Sequence, residues 1–410
     1  MPVRGVDDPL KALGVVLLGS AQPVVLCAVD WVGLRNEAFR VWRAALAEAA
    51  HTTPERVSLH TVHPHNAPFA DLEAQKLIDA AKAPPSLDIR FYQDCVKRSA
   101  AAVKASLMHA AKFTHIGTGM AEVKQVASNR RVLGEDGKVK FVRTSATKNP
   151  EARAAPEGLI DPYLRTLSFW DGEKPLAALH FYACHPMSYY GDGRVSADFC
   201  GLARQKFHDE TKIFQVYFNG CGGNITAGKY NDGAKENRPI LRDRIYTAMV
   251  AAWKSTKTQA VRDFAWRFKP VKLPPRNEAS FGEEESRKSL ADAKASAAKR
   301  NNAAFQLAWL KRHNIPIEVN CLDFHNKVLT LFLPGEAFVE YQLAAQKMRP
   351  DAVVQVAAYG DDGPGYIPTA KAYLEGGYEP TVALVGPESE DILLRAMRQL
   401  VRADTQEDPK

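Results

Sequence analysis

At 410 residues, with 46% hydrophobic and 25% charged side chains, the chain has the composition of an ordinary globular protein, long enough to bury a core without disulfide or metal staples. Its net charge of +7 is spread among acids along the whole chain, with no basic stripe interleaved by aromatics, which argues against nucleic acid as a partner. No apolar run approaches the roughly 20 residues of a membrane span, and the N-terminus lacks the basic, apolar and small-residue order of a signal peptide, so the chain as written is expected to be soluble and cytoplasmic, with export of a longer precursor left open.

The first third alternates apolar runs with helical patterns. Residues 14–18 and 24–29 read as strands, 36–50 as an Ala/Leu/Glu/Arg-rich helix, and 57–62 as the next strand. Strands separated by helices of this length predict an α/β class, with mixed sheets covered by helices and the active site at the C-terminal ends of strands. Helices are expected over 71–83 and 92–111, one or two strands over 114–126, and a loop over 129–156. Strands over 164–170 and 175–183 flank Asp171-Gly172-Glu173-Lys174, whose Asp-Gly pair favours a hairpin. A helix follows Ser196, its expected cap.

A strand over 214–218 runs into Asn219-Gly220-Cys221-Gly222-Gly223-Asn224-Ile225-Thr226-Ala227-Gly228, a glycine-rich loop. Residues from about 278 to 313 are charged and alanine-rich, predicting a solvated helical hairpin or arm, an insertion at about 276–314 in an otherwise single domain spanning 1–410. A strand over 328–333 ends at Pro334-Gly335-Glu336, a helix runs from there to about 347, and a strand over 352–358 precedes a loop at 360–365. No repeat is visible. Cys27, Cys95, Cys184, Cys200, Cys221 and Cys321 form no CxxC pair and are expected to be buried side chains rather than metal ligands, disulfides or nucleophiles.

A ligand-capable residue recurs just past strand ends: His63, His185, Thr226, Glu336 and the stretch from Tyr359 to Tyr366. His63 and His65 lie two apart, and in extended backbone they face one side, so both imidazoles can address one cleft; two exposed loop histidines are the competing account. His185 ends an apolar run before Pro186, as a zinc ligand or a core histidine. Glu336, expected in the first turn of a helix, could complete an N/N/O zinc set or simply complement the helix dipole. The Thr226 hydroxyl among glycine amides suits a binding or oxyanion-stabilising element, while the missing Gly-Lys-Ser/Thr signature excludes a phosphate loop.

Together these segments resemble the catalytic domain of the neutral, non-lysosomal ceramidases, zinc amidases that split a fatty acyl amide from a sphingoid base, over nearly the whole chain. Val62-His63-Pro64-His65-Asn66-Ala67-Pro68 is similar to the family's Thr-His-Thr-His-Ser-Gly-Pro, Ser128-Asn129-Arg130-Arg131 to its Asn-Arg-Ser-Pro, and Asn149-Pro150 through Asp161-Pro162 to its Asn-Pro and Asp-Pro-like stretch. Gly223-Asn224-Ile225-Thr226-Ala227-Gly228 resembles Gly-Asp-Val-Ser-Pro-Asn, Pro334-Gly335-Glu336 resembles Pro-Gly-Glu, and the stretch from Gly365 through Tyr366 to Tyr373 resembles Tyr-Val-Thr-Thr-x-x-x-Tyr.

The resemblance implies one Zn²⁺ held by His63, His185, Glu336 and Tyr366. It implies His65 and Arg130 beside the metal, Thr226 at the position of the family's catalytic serine, and Tyr378 at the spacing of a further family tyrosine. The implied reaction is hydrolysis of an N-acyl amide in a small or lipid-like substrate. Attack by metal-activated water is preferred to attack by Thr226, because β-branching restricts its rotamers and no base is adjacent in sequence. The departures at Asn66, Ala67, Asn224, Thr226 and Gly228, the shortened opening and the lack of the family's C-terminal immunoglobulin-like domain leave two alternatives: a zinc esterase or amidase for a non-sphingolipid substrate, or a non-catalytic metal-binding protein of the same fold.

Overall fold

Three antiparallel hairpins, each followed by a helix that returns the chain to a parallel strand, organise the computed structural model, which describes residues 3–19 and 21–403. In the first unit Ala12–Leu17 pairs with Val24–Val29, and after the helix Asn36–Ala49 the strand Val57–Thr61 lies parallel to Val24–Val29. In the second, Tyr163–Asp171 and Lys174–Tyr182 form the hairpin predicted at Asp171-Gly172, Asp198–Thr211 crosses over, and Phe214–Asn219 lies parallel to Lys174–Tyr182. In the third, Ile317–Phe324 pairs with Val328–Phe332, and after the helix Val339–Met348 the strand Val353–Ala357 is parallel to Val328–Phe332. His115–Glu122 and Lys257–Ala260 widen the second sheet to five strands, and Ala265–Val271 widens the third to four. The fold is therefore mixed α/β. What recurs is a pattern of pairing, not of residues, which is why no repeat is visible in the sequence.

Parallel strands carry crossover helices on their faces and are buried on both sides. Val24–Val29 and Val328–Phe332 are buried at every position, hence their unbroken apolar runs. The three parallel strands then end against one another. Thr61 N donates to Tyr359 O (2.8 Å), Ala358 N to Asn219 O (2.9 Å), and the Asn219 side chain to Val62 O (3.1 Å). Segments that leave these ends, from all three units, are brought into one region by that stitching.

Several local expectations change. Glu336 is not in a helix: Glu336–Ala337 is a two-residue strand parallel to Tyr366–Ile367, and the helix starts at Val339. The helix after Ser196 has Ala197 at its cap position, although Ser196 Oγ still accepts from Asp198 N at 3.0 Å. The stretch 129–156 is not all loop. Ser128–Asn129 pairs with Ile225–Thr226, Arg131–Leu133 with Val139–Val142, and Pro150–Ala154 is helical, all segments too short and polar to show a period. The charged stretch is a helical pair, Glu283–Ala291 and Ala297–Arg312, whose first helix and turn are mostly exposed while the second helix packs inward. Ala303, Ala304, Leu307 and Ala308 pack on Ala74 and Ile78, and the buried Arg312 pairs with the buried Asp361. Five of the six free cysteines are buried, Cys95 partly. Among the described residues no helix is long and apolar enough to cross a membrane.

Candidate metal centre

His63 follows the strand Val57–Thr61 with φ +73°, not in the extended conformation expected of the His-Pro-His segment. A left-handed non-glycine residue costs energy and persists only where the surroundings enforce it. Here Val62 N and His63 N are held by Val29 O and Trp31 O. The turn still brings the two imidazoles together, with His63 Nε2 and His65 Nε2 3.1 Å apart. His63 Nδ1 donates to Val32 O (2.5 Å), so Nε2 carries the lone pair, facing His65 Nε2 and Glu336 Oε2.

His185, wholly buried, is fixed in the same way. Its Nδ1 faces Gly222 O (2.7 Å) and Ile225 O (3.0 Å), so its Nε2 lone pair faces Glu336 Oε2 at 3.1 Å. It is both a core histidine and a ligand-ready one. Gly335, at φ +56°, turns the chain after the strand Val328–Phe332, and Glu336 N donates to Gly365 O (2.9 Å), which sets the carboxylate between the rings. His63 Nε2 is 3.5 Å from Glu336 Oε2. Tyr366 Oη lies 3.4 Å from His185 Nε2 and accepts from Arg130 Nη1 at 2.9 Å.

Two lone-pair nitrogens facing one carboxylate oxygen across such distances repel one another unless a proton or a cation lies among them. Bonds of about 2.0–2.1 Å to a tetrahedral zinc put neighbouring donors roughly 3.4 Å apart, and the separations of 3.1, 3.5 and 3.4 Å bracket that value. The residues fit a metal. His63, His65 and His185 also offer nitrogens all within 4.8 Å of one another, so His65 and Tyr366 compete for the fourth position.

Burial pushes His63 down to about 4, with His185 and Arg35 adding to it against Glu336, and lowers His65 well below the usual histidine range, with His63 and His185 contributing. Both are neutral at neutral pH, the form that binds metal. For Glu336 burial favours the proton, but the positive charge of Arg35 and any proton shared with His63 or His185 outweigh it and hold the carboxyl below its usual range. Burial raises the Tyr366 phenol far above its usual range, Arg130 opposing.

Arg130 is buried at 5% exposure beneath Tyr366 and Tyr378, its guanidinium 5.2 Å from the Tyr378 ring, and Tyr378 itself is half-exposed at the rim. Thr226 is placed differently. Its backbone bridges to His185, while its buried hydroxyl donates to Thr144 O at 3.4 Å.

Several residues near the centre escape sequence reading. Tyr190, half-exposed, lies 5.3 Å ring to ring from His65. Glu379, fully buried, stands 3.8 Å from Arg130 and 3.1 Å from Arg131, and Arg35 is held by Asp362 (2.9 Å). For Glu379 and Arg131 the one sequence signal is adjacency to a marked position, Tyr378 and Arg130.

No family model and no curated protein matches the chain by sequence. Solved structures match it by shape. Neutral ceramidase from Pseudomonas aeruginosa superposes over 94% of the chain with a TM-score of 0.66 at 16% identity, and a ceramidase complexed with C2 does so over 94% with 0.68 at 16% identity. The chain has the fold of neutral ceramidase. It spans 66% and 68% of the lengths of those two proteins, and with so few identical residues the likeness is one of fold, matching the family resemblance read from the motifs.

Proposed function

We propose that the chain is a zinc-dependent hydrolase that cleaves the amide bond of an N-acyl substrate, lipid-like as in ceramidases, with His63, His185, Glu336 and Tyr366 holding one Zn²⁺. The observation that carries this reading is the convergence of His63 Nε2 and His185 Nε2 on Glu336 Oε2, at 3.5 and 3.1 Å, with the other nitrogen of each imidazole committed to backbone carbonyls. A backbone acceptor of this kind fixes the tautomer of a metal-binding histidine. A zinc ion bound there supplies a Lewis acid for the scissile carbonyl and lowers the pKa of a coordinated water.

The remaining work falls to the chain's own groups. His65, kept neutral by burial and reached from the rim beside Tyr190, serves as the group that takes the proton of the attacking water and returns it to the leaving amine. Arg130 holds the Tyr366 oxygen through Nη1 and, with Tyr378, orients the polar part of the substrate. Thr226, its hydroxyl engaged with Thr144 O, serves as a substrate-binding or supporting hydroxyl and not as the nucleophile.

The test is elemental analysis of the purified protein followed by a panel of acyl amides and esters, ceramide and N-acyl amino acids included. One zinc per chain with amide turnover is expected. Protein that takes up no zinc refutes the metal assignment, ester turnover alone makes the protein an esterase, and stoichiometric zinc without any turnover makes it a binding protein.

A further inference from the structure

Beside the proposed ligands lies a second buried tyrosine, Tyr359, to which neither the motifs nor the mechanism gives a role. It has no exposed surface, and its hydroxyl has no hydrogen-bond partner. A buried tyrosine ordinarily finds a partner for its O–H, and one left unmade destabilises the fold.

The backbone is arranged to keep the phenol where it is. Tyr359 has φ +63°, a left-handed conformation that side-chain-bearing residues adopt only under constraint. Its N–H donates to Gly335 O (2.9 Å) and its carbonyl accepts from Thr61 N (2.8 Å), which clamps it between the segments that present Glu336 and His63. The ring lies 4.6 Å from that of His63, inclined by 34°, and 6.0 Å from that of His185. The hydroxyl rests against Gly222, whose carbonyl fixes His185: a methyl group on Gly222 would meet it at 2.9 Å. Among the charges it senses, Glu336 comes first, then Tyr366 and Arg130.

We propose that the Tyr359 hydroxyl is a hydrogen-bond donor to the oxygen ligand received among His63, His185 and Glu336, whether water or the carbonyl oxygen of an acyl substrate. This rests on the metal-hydrolase reading above. Tyr366 cannot fill the role, since its oxygen is engaged by Arg130 and proposed for the metal. A neutral donor held ready in a water-poor site stabilises negative charge developing on that oxygen without reorganising. The unpaired hydroxyl is then a preformed half of a hydrogen bond that the ligand completes.

The experiment compares wild-type protein with Tyr359→Phe. Zinc affinity is measured by chelator competition, binding of acetohydroxamate to the zinc-loaded protein by calorimetry, and stability by thermal melting. Tyr359→Phe is expected to melt no lower than wild type and to keep zinc affinity within about twofold. It should bind acetohydroxamate about tenfold more weakly, the size of one hydrogen bond to a charged group. Wild-type acetohydroxamate affinity in Tyr359→Phe overturns the proposal. Loss of zinc from Tyr359→Phe also overturns it, by making Tyr359 a ligand. A wild-type protein that binds no zinc instead overturns the metal reading beneath it.

Discussion

Replacing His185 by alanine separates a metal ligand from a core side chain, because the structure makes it both. The imidazole is fully buried, so its removal leaves a cavity whose cost, by analogy with large-to-small core substitutions, is about 3–5 kcal/mol. The two carbonyls it leaves behind are not orphaned: Gly222 O still accepts from Ile225 N (2.9 Å) and Ile225 O from the backbone N of residue 185 (3.0 Å). At about 2.1 cal/mol/K of unfolding entropy per residue, 410 residues shift the melting midpoint by about 1 °C per kcal/mol. Metal-free His185→Ala should therefore melt about 3–6 °C below metal-free wild type. Zinc at a hundred times its Kd stabilises wild type by about 2.7 kcal/mol, a rise of about 3 °C. If the variant binds at least a hundredfold more weakly, the same zinc raises its midpoint by less than about 0.5 °C. The assay is differential scanning calorimetry of both proteins with and without zinc. A variant that melts lower yet keeps the full zinc-induced rise would mean that His185 is a packing residue and the ligand set is wrong.

Arg130→Lys keeps the charge but loses the fork that reaches Tyr366 and faces Glu379, and should lower kcat/KM at least tenfold with zinc content unchanged; steady-state kinetics beside elemental analysis decide. Thr226→Ala, which leaves Thr144 O its bond from Thr147 Oγ1 (3.3 Å), should lower kcat/KM by less than about tenfold, whereas a loss near 10⁴-fold would identify a nucleophile and end the metal-water mechanism. Acid should destabilise the fold through His180, which burial pushes from the usual 6.5 down to about 4 while Thr166 and Gln215 hold its ring. Since the unfolded chain binds the extra proton between those values, this contribution is complete above pH 6.5 and lost as pH falls towards 4. His180→Gln should remove about 2 kcal/mol of the stability difference between pH 7 and pH 5, read as a double difference in urea unfolding, and an unchanged difference would contradict the assignment.

The strands buried on both faces are legible in the residues alone, because Val24–Val29 and Val328–Phe332 must be apolar throughout. The sequence also marked where ligand-capable residues follow strand ends, since glycine and proline punctuation at Pro64, Pro186 and Gly335 is local chemistry. From these it yielded the α/β class, the resemblance to neutral ceramidases and the positions of His63, His185, Glu336 and Tyr366. Tertiary structure decided what local chemistry cannot encode. The threefold recurrence of hairpin, helix and parallel strand lies in hydrogen-bond pairing, invisible to a residue-by-residue comparison. Glu336 left its expected helix because Tyr366–Ile367, distant in sequence, offers it a parallel partner. The His-Pro-His segment left extended geometry because Val29 and Trp31 hold it in a left-handed turn. Thr226, marked with the other strand-end residues, turned its hydroxyl to Thr144, and Tyr359, passed over within a marked stretch, came to rest against His63. Which oxygen or nitrogen meets which neighbour depends on chain ends closing on one another from three units, and only the folded chain brings those ends together.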